Sequence, residues 1–293
     1  MDLSIIIVNY GTYKLTKNTI NSILKQKIDF EYEIFLVDSN SPDNSFFKLK
    51  EYFEDEIKKG LIKPIASDFN RGFAYANNIA IKNSSAKYIL LLNSDTIVKK
   101  DTLNNVMRSM LNDENIGVLG CKVLLEDGSL DKASKRSFPD PTNSFYRLFG
   151  LAKLFPNNKK FTKYNISDLD DNGVYEVDSL TGAFMLVRSE AIKKVGLLDE
   201  TFFMYGEDID WCYRIKKEGW KILYYGKSEI IHLKGASSKK KRGKLIYEFY
   251  RAMYVFYNKH YKNKYSILTR VTVYCGIAIL FLLKIILNLF KKN

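Results

Sequence analysis

An α/β fold built on a largely parallel sheet is predicted by three features of this sequence. Short apolar runs alternate with helical patterns through the first ninety-odd positions. Each run ends in a cluster of polar and acidic residues. The composition, 46% hydrophobic and 27% charged over 293 residues, is that of a packed globular chain rather than a disordered one.

Residues 3–9, containing Ile5-Ile6-Ile7-Val8, are continuously apolar, as a strand buried on both faces must be. A helical pattern follows over about 12–26, then a second buried strand over 33–37. A helix over 44–58, a short strand near 61–66, a helix over about 72–82 and a strand over 88–92 complete the first half. Strand–helix alternation at this spacing predicts a parallel sheet, whose ligands lie at the carboxyl ends of the strands. Asn9-Tyr10, Asp38-Ser39-Asn40-Ser41 and Asn93-Ser94-Asp95 fall at those ends. In the second half, 116–124 reads as a strand and 137–173 as a long loop with one short helix. Strands are predicted over 174–177 and 183–187, a helix over 208–217 closed by Gly219, and two short strands over 221–225 and 229–232. There is no internal repeat.

Five segments have the residue types of a reactive site, and each also has a plainer reading. Asp38 can grip a nucleobase or ribose, or cap its loop. Asp95 can bind a hard cation that bridges a diphosphate, or make a turn. Glu207, Asp208 and Asp210 open a helix whose dipole favours them, and Asp210 can pair with Arg214. That pairing leaves Glu207 and Asp208 available as a general base and its partner. His232, at a strand end before a Gly/Ser loop, can meet a metal or phosphate, or lie on the surface. In Asn70-Arg71-Gly72, glycine permits close approach of backbone to a ligand and Arg71 can meet phosphate; the alternative is an ordinary helix entry.

The order of these segments is more specific than any one of them. Asn-Tyr, Val-Asp-Ser-Asn-Ser, Asn-Arg-Gly-Phe-Ala-x-Ala-x-Asn, Leu-Leu-Asn-Ser-Asp, Leu-Thr-Gly-Ala-Phe-Met-Leu-Val-Arg, Gly-Leu-Leu-Asp-Glu-x-Phe-Phe-Met-Tyr-Gly-Glu-Asp-x-Asp and His-x-x-Gly-x-Ser succeed one another over residues 3–238. This series resembles the family 2 glycosyltransferases, and within them the bacterial rhamnosyltransferase-like branch. The resemblance implies a GT-A fold, a Rossmann-like mixed sheet flanked by helices, over a catalytic domain at 1–238. It implies donor contacts by Tyr10, Asp38, Asn70, Arg71, Gly72 and Asn93, and acceptor-side contacts by Thr181, Gly182 and Ala183. It also implies a divalent metal, Mn2+ or Mg2+, on Asp95 and His232, with Asp208 as catalytic base and Glu207 beside it. Asn93 stands where many relatives have Asp, which removes one charge from the metal site. The Gln-x-x-Arg-Trp motif of processive relatives is absent, so one sugar or few are expected per encounter.

The charge is divided unevenly. Of 46 basic and 33 acidic residues, 14 and one lie from Lys234 onward, so the body is neutral and the tail carries the whole net charge of +13. A basic cluster at 239–244 precedes an aromatic helical stretch over 245–261 and an uncharged run over 271–283. Aromatic and cationic residues together suit a lipid headgroup interface better than nucleic acid. Residues 239–293 are therefore expected to be an amphipathic and hydrophobic helical tail at the membrane. It is expected to be monotopic or re-entrant first, and a single span second, with Lys284 snorkelling. A helix packed on the body or on a second subunit is the third reading. The N-terminus has no basic n-region or cleavage site, and three scattered cysteines fit a reducing compartment. The cytoplasmic face of the membrane, a nucleotide-sugar donor and a lipid-linked saccharide acceptor follow as expectations, with a homo-oligomer open and no nucleic-acid partner. Two alternatives remain. A sugar nucleotidyltransferase would need a Gly-rich loop where Asn9-Tyr10-Gly11-Thr12 stands. A non-enzymatic adaptor would have no use for the ordered acidic residues.

Overall fold

The computed structural model describes residues 1–148, 151–155, 158–233 and 242–290. Residues 234–238 and the first half of the basic cluster, 239–241, lie outside them. In chain order the elements are β1 (Leu3–Asn9), α1 (Tyr13–Leu24), β2 (Tyr32–Asp38), α2 (Ser45–Tyr52), α3 (Glu54–Lys58), β3 (Ile62–Ala66), α4 (Phe73–Asn83), β4 (Tyr88–Asn93), β5 (Thr96–Val98) and α5 (Thr102–Leu111). There follow β6 (Ile116–Leu125), α6 (Pro141–Leu148), α7 (Leu151–Leu154), α8 (Lys159–Thr162), β7 (Val174–Glu176), β8 (Phe184–Arg188), α9 (Ser189–Val195), α10 (Glu207–Lys217), β9 (Lys221–His232), α11 (Arg242–His260) and α12 (Ile267–Phe290).

One sheet runs β3-β2-β1-β4-β8-β6-β9-β5, with β7 on β9. β1 is parallel to β2 and β4, while β8 is antiparallel to both β4 and β6. The sheet is thus mixed, and β8 enters it beside the carboxyl end of β4.

Continuous apolar strands are explained by helices on both faces. Ile5 and Ile7 face a layer with Ile20 and Ile23 of α1 and Val106 and Met110 of α5. Ile6 faces the other layer, with Ala76 and Ala80 of α4 and Trp211 and Ile215 of α10. The small residues of α4 let that helix lie close on β1 and β2.

Three predicted elements differ. The helix over 44–58 is broken at Phe53, which turns into the core. The long loop over 137–173 folds into three short helices rather than one. The two strands predicted over 221–232 are one strand, β9, with a register irregularity opposite Cys121 and Lys122. Gly226 sits in it because a β-carbon there would lie 2.3 Å from the Asp171 carbonyl oxygen.

The tail begins as part of this body. α11 packs Ala252, Phe256, Tyr257 and Tyr261 against Phe202 and Ile209. Asp210 of α10 holds it through His260 Nε2 at 2.7 Å and Lys259 Nζ at 2.8 Å. α12 returns along α11, with the Tyr274 hydroxyl bonded to Asn258. It is long and apolar enough to cross a membrane, and 0% of its most apolar window is buried.

Candidate active site

The carboxyl edge of the sheet gathers the predicted residues into two groups. The first lies at β1, β2 and the loop after β3. Asn9 and Asp38 are register partners, and Asn9 Nδ2 lies 2.7 Å from Asp38 Oδ1. Ser41 donates to the same carboxylate from its hydroxyl at 2.5 Å and from its main-chain nitrogen at 2.9 Å. Asp38 therefore does cap its loop, and this network also fixes the carboxylate. Tyr10 follows directly and is half-buried. Arg71 is exposed, its guanidinium 5.3 Å from the Tyr75 ring centre. Gly72, at φ +100°, has a β-carbon position only 2.0 Å from the Phe203 carbonyl oxygen. The close approach that this glycine permits is to the Phe203 main chain, which Phe73 N also bonds at 2.9 Å. The Asn70–Gly72 loop is thereby stitched to the segment leading into α10.

The second group surrounds a cavity of about 1480 Å³ lined by Asn93, Thr181, Gly182, Ala183, Glu207, Asp208 and His232 among others. Because β8 is antiparallel to β4, Thr181–Ala183 arrive beside Asn93, whose nitrogen bonds the Ala183 carbonyl at 3.1 Å. β5 pairs with β9, Thr96 opposite His232, which carries Asp95 to the imidazole. His232 Nε2 lies 3.1 Å from Asp95 Oδ1 and 3.3 Å from the Asn93 amide nitrogen. The other ring nitrogen faces Asp131 at 3.7 Å. Asp95 Oδ1 and His232 Nε2 converge at the separation of about 3 Å expected for neighbouring ligands of an ion bound at about 2.1 Å. The Asp95 oxygen suits Mn2+ or Mg2+ and the imidazole is a softer donor, and among the described residues no third His, Cys, Asp or Glu joins these two as a ligand cluster.

Glu207 and Asp208 open α10 behind Tyr205 and Gly206, which have φ of 70° and 86°. A non-glycine residue held there stores about 1–3 kcal/mol of strain. Asp208 Oδ2 accepts from Arg136 Nη2 at 2.7 Å and from Gly182 N at 3.3 Å, and Oδ1 accepts from Ile209 N at 2.8 Å. Burial disfavours the Arg136 charge, but Asp208 more than offsets this and holds the guanidinium above its ordinary value. Glu207 is buried, and its Oε2 meets no hydrogen-bond partner among the described residues. Burial first, and the Asp208 charge second, push its carboxyl up to about 8. The paired acids thus differ: Asp208 lines the cavity and is gripped by Arg136, whereas Glu207 is buried and neutral at pH 7.

Sequence reasoning missed Arg136 and Asp131. Asp127-Gly128 is a turn signal that folds the chain back along β6, where Asp131 N bonds the Val123 carbonyl. That signal pointed to Asp131. Arg136 has no local signal, since its partner is 72 positions away.

The Glycosyl transferase family 2 model matches residues 4–196. A low-salt glycan biosynthesis hexosyltransferase of Haloferax volcanii is 27% identical over 79% of this chain and 67% of its own length. A rhamnosyltransferase of Escherichia coli is 29% identical over 78% of this chain and 82% of its own. An N-acetylglucosaminyl-diphospho-decaprenol L-rhamnosyltransferase of Mycobacterium tuberculosis is 31% identical over 48% of this chain and 45% of its own. Among solved structures, a mannosyltransferase of Pyrobaculum calidifontis in complex with GDP-Man and Mn2+ superposes with a TM-score of 0.61 at 15% identity, over 94% of this chain and 68% of that one. The fold is therefore GT-A, and an enzyme replaces the adaptor alternative. The chain belongs to glycosyl transferase family 2, on its rhamnosyltransferase-like branch.

Proposed function

We propose that this glycosyltransferase inverts the anomeric centre as it moves one sugar from a nucleotide donor to a lipid-linked saccharide at the cytoplasmic membrane face. The Asp208 carboxylate, held 2.7 Å from Arg136 Nη2 and lining the cavity, is the observation that supports this most. dTDP-rhamnose is the favoured donor, on the strength of the rhamnosyltransferase relatives. The hexosyltransferase relative keeps UDP-hexoses as the alternative. The decaprenol-linked substrate in the mycobacterial relative's name supports the lipid-linked acceptor. Residues 1–238 carry the chemistry and 239–293 hold it at the membrane.

Tyr10 and Asp38 bind the base and ribose end of the donor, and Asn70, Arg71 and Gly72 lie along the diphosphate. Asp95 and His232, steadied by Asn93, hold Mn2+ or Mg2+. When bound, such an ion supplies charge neutralisation to the leaving diphosphate. Thr181, Gly182 and Ala183 orient the sugar on its acceptor side. Asp208 accepts the proton of the acceptor hydroxyl as that oxygen attacks from the face opposite the diphosphate. The C–O bond to the acceptor forms as the bond to the diphosphate breaks, through an oxocarbenium-like transition state.

The test is a donor screen with the purified chain and its Asp208→Asn variant. Transfer should fall by about 10³-fold or more while nucleotide-sugar binding persists, the pattern of a lost general base. Near-normal transfer by the variant would remove Asp208 from the role.

A further inference from the structure

The cavity at Asp208 does not end at the reacting groups. It continues between α11 and α12, where its walls are Ala252 and Phe256 on one side and Val271, Gly276, Ile279 and Leu280 on the other. At about 1480 Å³ it exceeds the roughly 300–1,000 Å³ of an ordinary small-molecule pocket. Tyr10, Asp38, Asn70 and Arg71 do not line it. It therefore leads away from the nucleotide end of the sheet and towards α12, the one helix among the described residues apolar enough to enter a bilayer.

We infer that this apolar extension is the slot for the hydrocarbon chain of the acceptor, so that the saccharide reaches Asp208 while its chain lies along α12. The inference rests on the reading that the acceptor is lipid-linked. Continuity of the slot with the catalytic carboxylate argues for this occupant. A ligand that is polar at one end and apolar at the other matches walls that change in the same direction. Val271 and Ile279 are half exposed, at 50% and 57%, so their apolar surface is available to a chain. A bilayer acyl chain or a second copy of the protein would have no need of a passage to Asp208.

Cys275 lines the slot and is exposed, whereas Cys121 and Cys212 are buried, so maleimide labelling in detergent micelles reads the slot in the unaltered chain. Gly276 offers a plug. A β-carbon there meets nothing within 4 Å, so a side chain can be built from that position, and Gly276→Trp is the plug. The probes are N-acetylglucosaminyl diphosphate on a long polyprenyl chain and the same saccharide on a short water-soluble chain. The long-chain probe should slow Cys275 labelling about tenfold, and Gly276→Trp should raise its KM about tenfold, a difference of about 1.4 kcal/mol in binding. The short-chain probe and donor hydrolysis should be unaffected in both experiments. If the long chain is the better acceptor but neither protects Cys275 nor responds to Gly276→Trp, the slot is wrong and the lipid-linked reading stands. If the wild-type chain uses both probes equally, the lipid-linked reading fails and the slot with it. Protection by the micelle or by self-association, without the long-chain probe, also overturns the slot.

Discussion

Arg136 Nη2 lies 2.7 Å from Asp208 Oδ2 and 2.6 Å from the Leu180 carbonyl oxygen, so one guanidinium ties the segment before α6 to both the loop before β8 and the start of α10. The pair is largely buried, with side-chain exposures of 11% and 14%. Arg136 positions Asp208 by gripping one of its carboxylate oxygens. Arg136→Met should lower kcat by about 10²-fold while KM for the donor changes little. Arg136→Lys should restore only part of kcat, because an ammonium lacks the planar fork that reaches Asp208 and the Leu180 carbonyl together. A loss confined to thermal stability in Arg136→Met, with kcat unchanged, would make the role purely structural.

Glu207 should set the alkaline limb of the kcat/KM profile. Its carboxyl, held up to about 8 by burial and by Asp208, is neutral at pH 7, and above about pH 8 it places a negative charge beside Asp208. Activity should decline by about tenfold per pH unit beyond the transition, and Glu207→Gln should remove the decline. The sign for stability is equally definite. The native state holds this proton after the unfolded chain has lost it, so stability falls as pH rises from about 4.5 to about 8. Glu207→Gln should flatten that slope in urea melts measured across the range.

The two halves of the site were unequally legible. β1 and β2 announced themselves because burial on both faces forces an unbroken apolar run. Asp95 and His232 were legible because strand ends are local features, and the β5–β9 pairing brought them together. Arg136 was not, since its contacts depend on how distant segments pack, and Asp131 was signalled only through the Asp127-Gly128 turn that folds the chain back along β6. The aromatic stretch of α11 was ambiguous for a different reason. Tyr and Phe with scattered cations suit a headgroup interface and a packed helix alike, and only the positions of Phe202 and Ile209 show that part of that surface is covered.

Removing the metal should separate donor binding from folding. Asp95 lies in the turn between β4 and β5 and neither it nor His232 belongs to the apolar clusters of the core, so EDTA or Asp95→Ala should leave the thermal midpoint nearly unchanged. Calorimetric binding of a nucleoside diphosphate should then weaken by about 10–100-fold, and added Mn2+ should reverse the effect for EDTA but not for Asp95→Ala. His232→Ala should resemble Asp95→Ala, whereas Asp131→Asn, which faces the far ring nitrogen at 3.7 Å, should lose less.

Asp210 tests whether the tail is part of the catalytic body. It has 0% side-chain exposure and meets Arg214, Lys259 and His260. Burial alone would raise its carboxyl, but the His260 hydrogen bond, Arg214 and Lys259 prevail and hold it down to about 2. Its stabilisation is therefore complete above the unfolded-state value near 4 and is lost as pH falls towards about 2. Asp210→Asn leaves three cationic or polar partners uncompensated and should cost about 3 kcal/mol at pH 7. It should also make the acid unfolding profile shallower in that window. The functional consequence follows from position, because Asp208 sits two residues away on the same helix. Loosening α11 with His260→Ala should lower kcat as well as stability, even for a water-soluble acceptor. Unchanged kcat in that variant would mean that α11 only anchors the enzyme and does not hold α10 in place for catalysis.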